Sequence, residues 1–314
     1  PADALRLNQG DEIDLTLHND LPASLVLNWH GFDGLPAIEP LTSRHPIPPG
    51  QIDRYSLALR QAGTFLCDAR LLGDGLTQSS PTRALIVHEQ TAPEVDHNEL
   101  ILIEDWRLGA NGRPIAPGSG EKQASAPLYL VNGQPSVDFN LRVNDRLRLR
   151  FINACQRNAI AIGIQNLDVR IMAIDSRPAE PFLARDGRFV LSPGTRVDVF
   201  IDATAPAGTT YVITLHDGRA PREIARLNIS TDKPARAAPL PSPSPLPSSN
   251  LPARLDLKNA LRVEMPLAVS EQVPAAWVAP TLFSANSAPA FRVKRGRTVV
   301  LALTNSATTP AVVH

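Results

Sequence analysis

The sequence predicts an all-β protein built from consecutive β-sandwiches. Three observations predict it: a segment that recurs three times, short runs of alternating apolar residues, and proline at 30 of 314 positions. Proline is excluded from helix interiors and central strands, so this content favours a chain with many turns. The apolar runs are strand-sized, and no long amphipathic helix is apparent.

The recurring segment is the strongest internal signal. Its copies have equal lengths and no gaps, and they cover residues 7–19, 141–153 and 293–305. Their separation is far longer than a solenoid repeat of about 20–50 residues, and it fits tandem domains. The sequence therefore predicts three units of one architecture.

Within each copy a turn precedes a strand. The turn residues belong to types that tolerate positive φ, and they are Gly10, Asn144 and Gly296. Apolar residues then alternate over 13–17, 147–151 and 299–303. A period of two predicts a strand with one face on a core and the other towards solvent or a neighbour.

Further short strands are predicted between the copies. They cover residues 25–27, 53–59, 84–88, 100–104, 159–164, 170–174, 196–201 and 211–215. Turn signals such as Pro48-Pro49-Gly50 and Pro193-Gly194 separate them. Short strands with frequent turns favour sandwiches with Greek-key connections.

Domain boundaries follow from the repeat and from one change in composition. Residues 1–90 and 91–233 are each predicted to form one sandwich, and residues 255–314 to form the start of a third. Residues 234–254 are rich in proline and serine and are predicted to run as a semi-extended connector. Because a sandwich needs about 100 residues, the third unit is predicted to be incomplete.

Composition excludes several functional classes. The formal net charge is zero, so neither nucleic acid nor an anionic membrane is an expected partner. No apolar run is long enough to span a bilayer. The two cysteines, Cys67 and Cys155, exclude a disulfide scaffold and a cysteine-rich zinc module. They are predicted to be unpaired buried thiols, with one bridge between them as the alternative.

Arginines recur along the second copy of the repeat. They are Arg142, Arg146, Arg148 and Arg150. Because acidic neighbours and zero net charge disfavour nucleic acid, this stripe is predicted to be a solvated or domain-interface face.

Ordered motifs carry a resemblance to a known family. The first unit contains Asn28-Trp29-His30-Gly31 and Gln61-Ala62-Gly63-Thr64-Phe65, and the second contains residues 150–154 and 192–198. Their order and spacing over nearly the whole chain resemble three-domain bacterial multicopper oxidases of the laccase and copper-efflux type. The resemblance implies tandem cupredoxin-like sandwiches, in preference to immunoglobulin-like repeats with their Cys…Trp…Cys spacing.

The resemblance also implies where copper ligands belong. The family holds an oxygen-reducing trinuclear copper cluster with four His-x-His pairs, two from the first domain and two from the third. Imidazole suits copper, and residues two apart on a strand point to one side. This chain has Asn28 and His30 at the first pair, and Asp68 and Arg70 at the second. Of the four first-domain ligands, only His30 is retained.

For the third domain, the resemblance implies a His-Pro-x-His-x-His-Gly motif near residue 314. If His314 is its second histidine, the first, a blue-copper ligand, is replaced by Ala311. His30 and His314 are then remnant ligand positions, predicted to be hydrogen-bonded histidines, with a weak adventitious metal as the alternative. No catalytic residue is assigned and no cofactor is predicted, with copper expected if the family function is retained.

The replaced pair leads to one hypothesis. Asp68 and Arg70 face the same side of their strand, so their side chains are predicted to form an ion pair where the family places copper. Cys67 between them is predicted to be a small buried residue, since no motif orients a base towards it.

Two functions follow from the resemblance. The lost ligands predict a non-catalytic periplasmic binding or scaffold protein, similar to the copper-free cell-division member of the family, with an unknown protein or small molecule as partner. The alternative is an active laccase-like oxidase that takes electrons from phenols or metal ions and reduces dioxygen to water. The resemblance implies export to the periplasm, often through the twin-arginine route. The sequence does not identify the oligomeric state.

Overall fold

A computed structural model describes most of the chain. The described residues are 4–32, 44–72, 81–115, 126–155, 158–247, 254–267 and 291–306, with only the backbone described for residues 70–72. Strands dominate these ranges, and the helical structure within them is a 3₁₀ turn at Arg185–Gly187. The all-β prediction is confirmed. The part of the chain that is described contains no helix with the length and apolar character needed to cross a membrane.

The first unit combines a four-stranded sheet with a two-stranded one. Its strands are β1 (Leu5–Asn8), β2 (Glu12–His18), β3 (Ser24–His30), β4 (Ile52–Ala58), β5 (Gly63–Leu72) and β6 (Thr82–His88). The larger sheet has the order β1-β6-β5-β3, and β2 pairs with β4. Apolar side chains from both sheets, including Leu57, Phe65 and Leu85, form the core between them.

The second unit is a sandwich of a six-stranded and a five-stranded sheet. Its strands are β7 (His97–Trp106), β8 (Leu128–Val131), β9 (Val137–Leu141), β10 (Arg146–Asn153), β11 (Ile160–Ile164), β12 (Arg170–Ile174), β13 (Arg177–Leu183), β14 (Arg188–Leu191), β15 (Arg196–Asp202), β16 (Thr210–His216) and β17 (Arg222–Ile229). The sheet orders are β13-β12-β15-β10-β7-β8 and β14-β11-β16-β17-β9. The largest apolar core of the molecule lies between these sheets.

Two further strands lie beyond the second unit. They are β18 (Leu261–Leu267) and β19 (Val299–Asn305), and they pair in parallel. In the second unit β7 and β10 also pair in parallel. Because β10 and β19 are the strands within the second and third copies of the repeat, the two pairs are equivalent.

The repeat is borne out by backbone geometry. Gly10, Asn144 and Gly296 have φ of 100°, 68° and 85°, as predicted for the turn of each copy. The strands β2, β10 and β19 follow these turns. The sequence missed several strands, among them β8 and β14, which have four residues each. It also missed β13, where Pro178 and Pro181 are tolerated because the strand lies at a sheet edge and pairs on one side alone.

Strand β10 is buried on both faces. Its inner face carries Leu147, Leu149 and Phe151, which belong to the core of the second unit. Its outer face carries Arg146, Arg148 and Arg150, all at most 2% exposed. These three arginines of the basic stripe therefore lie at an interface, whereas Arg142, the first of the stripe, is exposed to solvent.

The first unit packs on this outer face. Leu66 and Ala84 of the first unit form a buried apolar cluster with Leu100, Leu102 and Ile152 of the second. Leu66 and Ala84 are opposite each other in β5 and β6, so they point to the same side of the sheet. This contact fixes which face of the first unit meets the second.

Residues 234–247, predicted to be a connector, are extended and without regular secondary structure. They nevertheless pack against the second unit, because Leu246 is 5% exposed and clusters with Met172, Ala173 and Phe200. Leu246 anchors this segment by apolar packing, which the prediction from its proline and serine content did not include.

Candidate functional site

Strands β3 and β5 bring three of the predicted copper positions to one face. Asn28 lies opposite Asp68 in this antiparallel pair, and His30 lies opposite Leu66. Directly opposed residues of antiparallel strands point to the same side of the sheet. Asn28, His30 and Asp68 therefore share the outer face of the four-stranded sheet, which we call the Asn28–Asp68 face.

The side chains on this face are close and largely enclosed. His30 Nε2 lies 3.7 Å from Asp68 Oδ2, and the two side chains are 10% and 9% exposed. The face thus offers one imidazole, one carboxylate and one neutral amide. These groups can hydrogen-bond and form an ion pair when His30 is protonated.

The donors on the Asn28–Asp68 face do not fit the family's copper centre. Copper in these proteins is held by imidazole nitrogens, whereas an amide and a carboxylate offer oxygen, which suits harder cations. Within the described residues, no group of three or more His, Cys, Asp or Glu side chains is arranged to hold a metal ion. The side chain of Arg70, together with Ala311 and His314, lies outside the described residues, so the predicted Asp68–Arg70 ion pair and the remnant at His314 remain predictions.

A polar band continues from this face into the second unit. Thr82 lies opposite Asp68 in β5 and β6, and its hydroxyl donates a 3.1 Å hydrogen bond to Glu104 Oε1. Burial raises the pKa of the Glu104 carboxyl, and the nearby Asp105 adds to the shift. The edge of the Asn28–Asp68 face is therefore joined to β7 by the hydrogen bond from Thr82 to Glu104, whose carboxyl group is titratable.

The reverse side of the same strands faces the core. Trp29 and Cys67 are opposite each other, and Trp29 Nε1 donates a 2.8 Å hydrogen bond to Tyr55 Oη. Burial raises the pKa of Cys67 to about 12, so its thiol is protonated near neutral pH and is a poor nucleophile. Both cysteines are unpaired, as predicted, but only Cys155 is fully buried, whereas Cys67 is partly buried.

A buried ionic cluster joins the two units beside this face. Thr64 Oγ1 donates a 2.6 Å hydrogen bond to Asp198 Oδ1 and accepts one of 2.8 Å from Arg150 Nη1. Asp198 Oδ2 accepts from Arg148 Nη2 at 2.6 Å and from Arg150 Nη1 at 3.0 Å. All four residues are buried. We call them, with Glu89, the interface cluster.

The interface cluster is balanced in charge. Arg148 Nη1 donates a 2.8 Å hydrogen bond to Glu89 Oε1, so two guanidinium groups face two carboxylates. Burial by itself raises the pKa of Asp198, but Arg148 and Arg150 outweigh it and hold this pKa below its usual range. Buried charges are tolerated only when paired in this way.

The turn between β12 and β13 completes the contact. Asp175 and Ser176 have φ of 49° and 67°, a left-handed geometry uncommon outside glycine. This turn directs Ser176 Oγ to the carbonyl oxygen of Thr64, to which it donates a hydrogen bond. Gly31 and Gly63 make room for it, because a Cβ on Gly31 would collide with Ser176 Oγ and one on Gly63 would lie tightly against Ser176, at 3.1 Å. The two units are therefore interlocked next to His30.

Residues of the interface cluster belong to motifs that carry the family resemblance. Thr64 lies in the motif at residues 61–65, and Asp198 ends the motif at residues 192–198. A detectable signal was present, because Thr64, Arg150 and Asp198 are polar residues whose neighbours along the strand are buried apolar residues. The partner of each is fixed by the packing of the units, which no single motif encodes.

Two cavities lie in the second unit, and neither contains a predicted copper position. One, of about 760 Å³, is bordered by Arg170, Arg188 and Pro243. The other, of about 680 Å³, is bordered by His97, which contacts the buried Asp145 at 2.9 Å. The His97 side chain is 31% exposed, and its contact with the carboxylate of Asp145 holds it in place.

Comparisons with known proteins agree with the sequence motifs. Two family models, both described as multicopper oxidase, match residues 1–83 and 98–233, which together are well over half of the chain. Laccase-12 of Arabidopsis thaliana is 23% identical in an alignment of 237 positions, which covers 68% of this chain and 40% of that protein. The multicopper oxidase MmcO of Mycobacterium tuberculosis is 24% identical in an alignment of 270 positions, which covers 74% of this chain and 51% of that protein. The chain thus spans about half or less of these relatives.

Solved structures show the same fold. The structure of Lac15 from a marine microbial metagenome aligns with a TM-score of 0.75 at 23% identity, over 98% of this chain and 74% of that one. A multi-copper oxidase from Pseudomonas parafulva aligns with a TM-score of 0.73 at 22% identity, over 96% of this chain and 74% of that one.

Proposed function

The chain belongs to the multicopper oxidase family, and from this premise we propose that it is a copper-free member acting as a binding or scaffold protein. The observation that carries the proposal is the donor set of the Asn28–Asp68 face. Asn28 and Asp68 stand opposite each other. Among the copper-ligand positions of the first domain whose side chains are described, His30 is the one imidazole.

A trinuclear copper centre in this family depends on paired imidazoles from two domains, and three of the four first-domain positions hold other side chains. An amide oxygen is a weak donor for copper, and a lone imidazole does not hold it. The contact between His30 and Asp68 also uses these groups within the protein. The face therefore suits recognition by hydrogen bonds and charge.

The interface cluster supports a scaffold role. The first two units are joined by a cluster of buried and paired charges together with apolar contacts. These contacts require no metal, so the two-unit body is expected to keep its shape without copper. A partner, protein or small molecule, is proposed to bind this body, and nucleic acid is not an expected partner because the net charge is zero.

An active oxidase is the second candidate. The similarity to proteins named laccase and multicopper oxidase favours it. It requires that copper be bound by His30 with ligands outside the described residues, His314 among them. In that case the chain would oxidise phenols or metal ions and reduce dioxygen to water, as its family does.

Location and domain organisation complete the proposal. By its resemblance to exported family members, the protein is proposed to work in the periplasm. The proposed domains are residues 1–90 and 91–233, a connector at 234–254, and a third unit that starts at residue 255.

Oxygen uptake with a phenol substrate tests the proposal. The copper-loaded protein is compared with His30→Ala, which removes the retained ligand position, and with His45→Ala, which removes an exposed histidine. We expect all three to show only the background of free copper. Phenol-dependent oxygen uptake that is lost in His30→Ala and kept in His45→Ala would establish the oxidase.

A further inference from the structure

Residues 234–247, which we call the strap, lie along the outer face of the six-stranded sheet. At the start of the strap, the Ala235 N–H donates a 3.0 Å hydrogen bond to the Val143 carbonyl. Arg236 donates two hydrogen bonds to the Asp96 carboxylate, at 2.8 and 2.6 Å. A paired, two-pronged contact of this kind fixes the orientation of the chain as well as its position.

A buried arginine binds the middle of the strap. Arg146 is 2% exposed, and its Nη2 donates hydrogen bonds to the carbonyls of Pro241 at 2.7 Å and Leu240 at 3.4 Å. The same guanidinium is held by Asp202 through bonds of 2.6 and 2.9 Å. Since proline lacks an N–H, the backbone of such a segment forms hydrogen bonds mainly through its carbonyl oxygens, and Arg146 donates to two of them.

An apolar anchor closes the far end of the strap. Leu246 is 5% exposed and packs with Met172 and Phe200, whose side chains also belong to the outer face of the sheet. Pro243 forms one wall of the 760 Å³ cavity next to Phe200. The strap therefore covers apolar and ionic surface that would otherwise meet water.

We propose that the strap is a clasp: a folded part of the second unit that fixes the point from which the chain continues to the third. Its prolines restrict the unfolded chain, so docking loses less conformational entropy than it would for a flexible linker. Movement of the third unit relative to the second then starts after Leu246 and not at the end of β17. Opening the clasp would expose Phe200 and the cavity beside Pro243.

Limited digestion with trypsin tests the clasp. Arg236 is the sole trypsin site within the strap, and Lys233, just before it, is not cleaved because a proline follows it. The exposed Arg254 lies just beyond it and serves as an internal reference. Cleavage after Arg236 requires its side chain to leave Asp96, so the rate follows the open population when opening is fast. We expect cleavage after Arg236 to be about tenfold or more slower than cleavage after Arg254.

A matched pair of variants tests the anchor. Leu246→Ser is expected to raise the rate of cleavage after Arg236 about tenfold. Loss of a buried leucine side chain changes the equilibrium constant between the docked and open strap by about that factor or more. Ser244→Ala changes an exposed position of the same strap and is expected to leave the rate unchanged. Equal rates at Arg236 and Arg254 in the unaltered protein, or equal effects of the two variants, would overturn the proposal.

Unfolding of the second unit by Leu246→Ser is recognised in the same digest. In that case cleavage also appears after the buried Arg148 and Arg196. The milder Leu246→Ala then replaces it, with the same expectation of faster cleavage after Arg236 alone. The comparison of Arg236 with Arg254 in the unaltered protein needs no substitution and decides the proposal by itself.

Discussion

The hydroxyl of Thr64 donates a 2.6 Å hydrogen bond to the buried carboxylate of Asp198, a residue 134 positions later in the chain. This bond crosses the boundary between the first and second units. It links two motifs that carry the resemblance to multicopper oxidases, so these motifs specify the packing of two sandwiches as well as their folds.

Asp198→Asn is expected to lower the free energy of unfolding by about 3–5 kcal/mol, because it removes the carboxylate shared by the buried Arg148 and Arg150. Urea unfolding followed by circular dichroism measures it. Glu223→Gln is the control, since it breaks an exposed ion pair with Arg226 and is expected to cost less than about 1 kcal/mol. A similar small effect of both variants would show that the cluster does not stabilise the protein.

Comparison of the unaltered protein with Asp198→Asn at different pH values gives a second prediction. The pKa of Asp198 is lowered in the folded protein, so its stabilising contribution is present above the unfolded value of about 3.9 and is lost as pH falls through the folded value. The difference between the unaltered protein and Asp198→Asn is therefore expected to stay constant from pH 8 to 5 and to shrink below about pH 4. A difference that already falls between pH 8 and 6 would contradict this assignment.

Gly31→Ala is expected to destabilise the protein by about 1–3 kcal/mol more than Gly10→Ala. The two glycines have φ of 102° and 100°, so the backbone strain is matched. They differ in space: a Cβ at Gly31 would lie 2.7 Å from Arg196 Nη2 and closer still to Ser176 Oγ, whereas nothing lies within 4 Å at Gly10. Thermal or urea unfolding measures the difference.

A second substitution, Ser176→Gly, is expected to reduce the destabilisation caused by Gly31→Ala. Removing the side chain of Ser176 relieves part of the clash, so the double variant is expected to be less destabilised than the sum of the single variants. Strict additivity would mean that the units do not interlock at Gly31.

Glu104→Gln is expected to stabilise the protein at pH 7 and to have little effect at pH 4. Burial raises the pKa of Glu104, so the folded state favours the protonated form. That preference is fully satisfied below the unfolded pKa of about 4.3 and is lost as pH rises through the folded value. Glutamine keeps an oxygen for the hydrogen bond from Thr82. Urea unfolding at both pH values checks it, and a destabilised variant at pH 7 would refute it.

The sequence predicted the repeated elements better than the irregular ones. The strands β2, β10 and β19 follow a turn whose glycine or asparagine is required by positive φ, which is a local property. Strand β13 was not predicted, because Pro178 and Pro181 are signals against a strand except at a sheet edge. Whether a strand lies at an edge is a tertiary property that the local sequence does not carry.

The site was predicted in part for the same reason. That Asn28 and His30 point to one side follows from strand periodicity. That Asn28 stands opposite Asp68 depends on the register of β3 and β5, which the pattern leaves open. The sequence pattern also left the burial of Arg148 undetermined. Apolar and polar residues alternate along β10 in the same way whether water or another domain covers its outer face.

The most direct test of the central claim is the copper content of the purified protein after copper loading and removal of loosely bound metal, measured by mass spectrometry with a visible spectrum of the same sample. The absence of imidazole from three of four first-domain positions predicts no stoichiometric copper and no blue absorption. Several coppers per chain with a strong blue colour would contradict the account and identify the protein as an active oxidase.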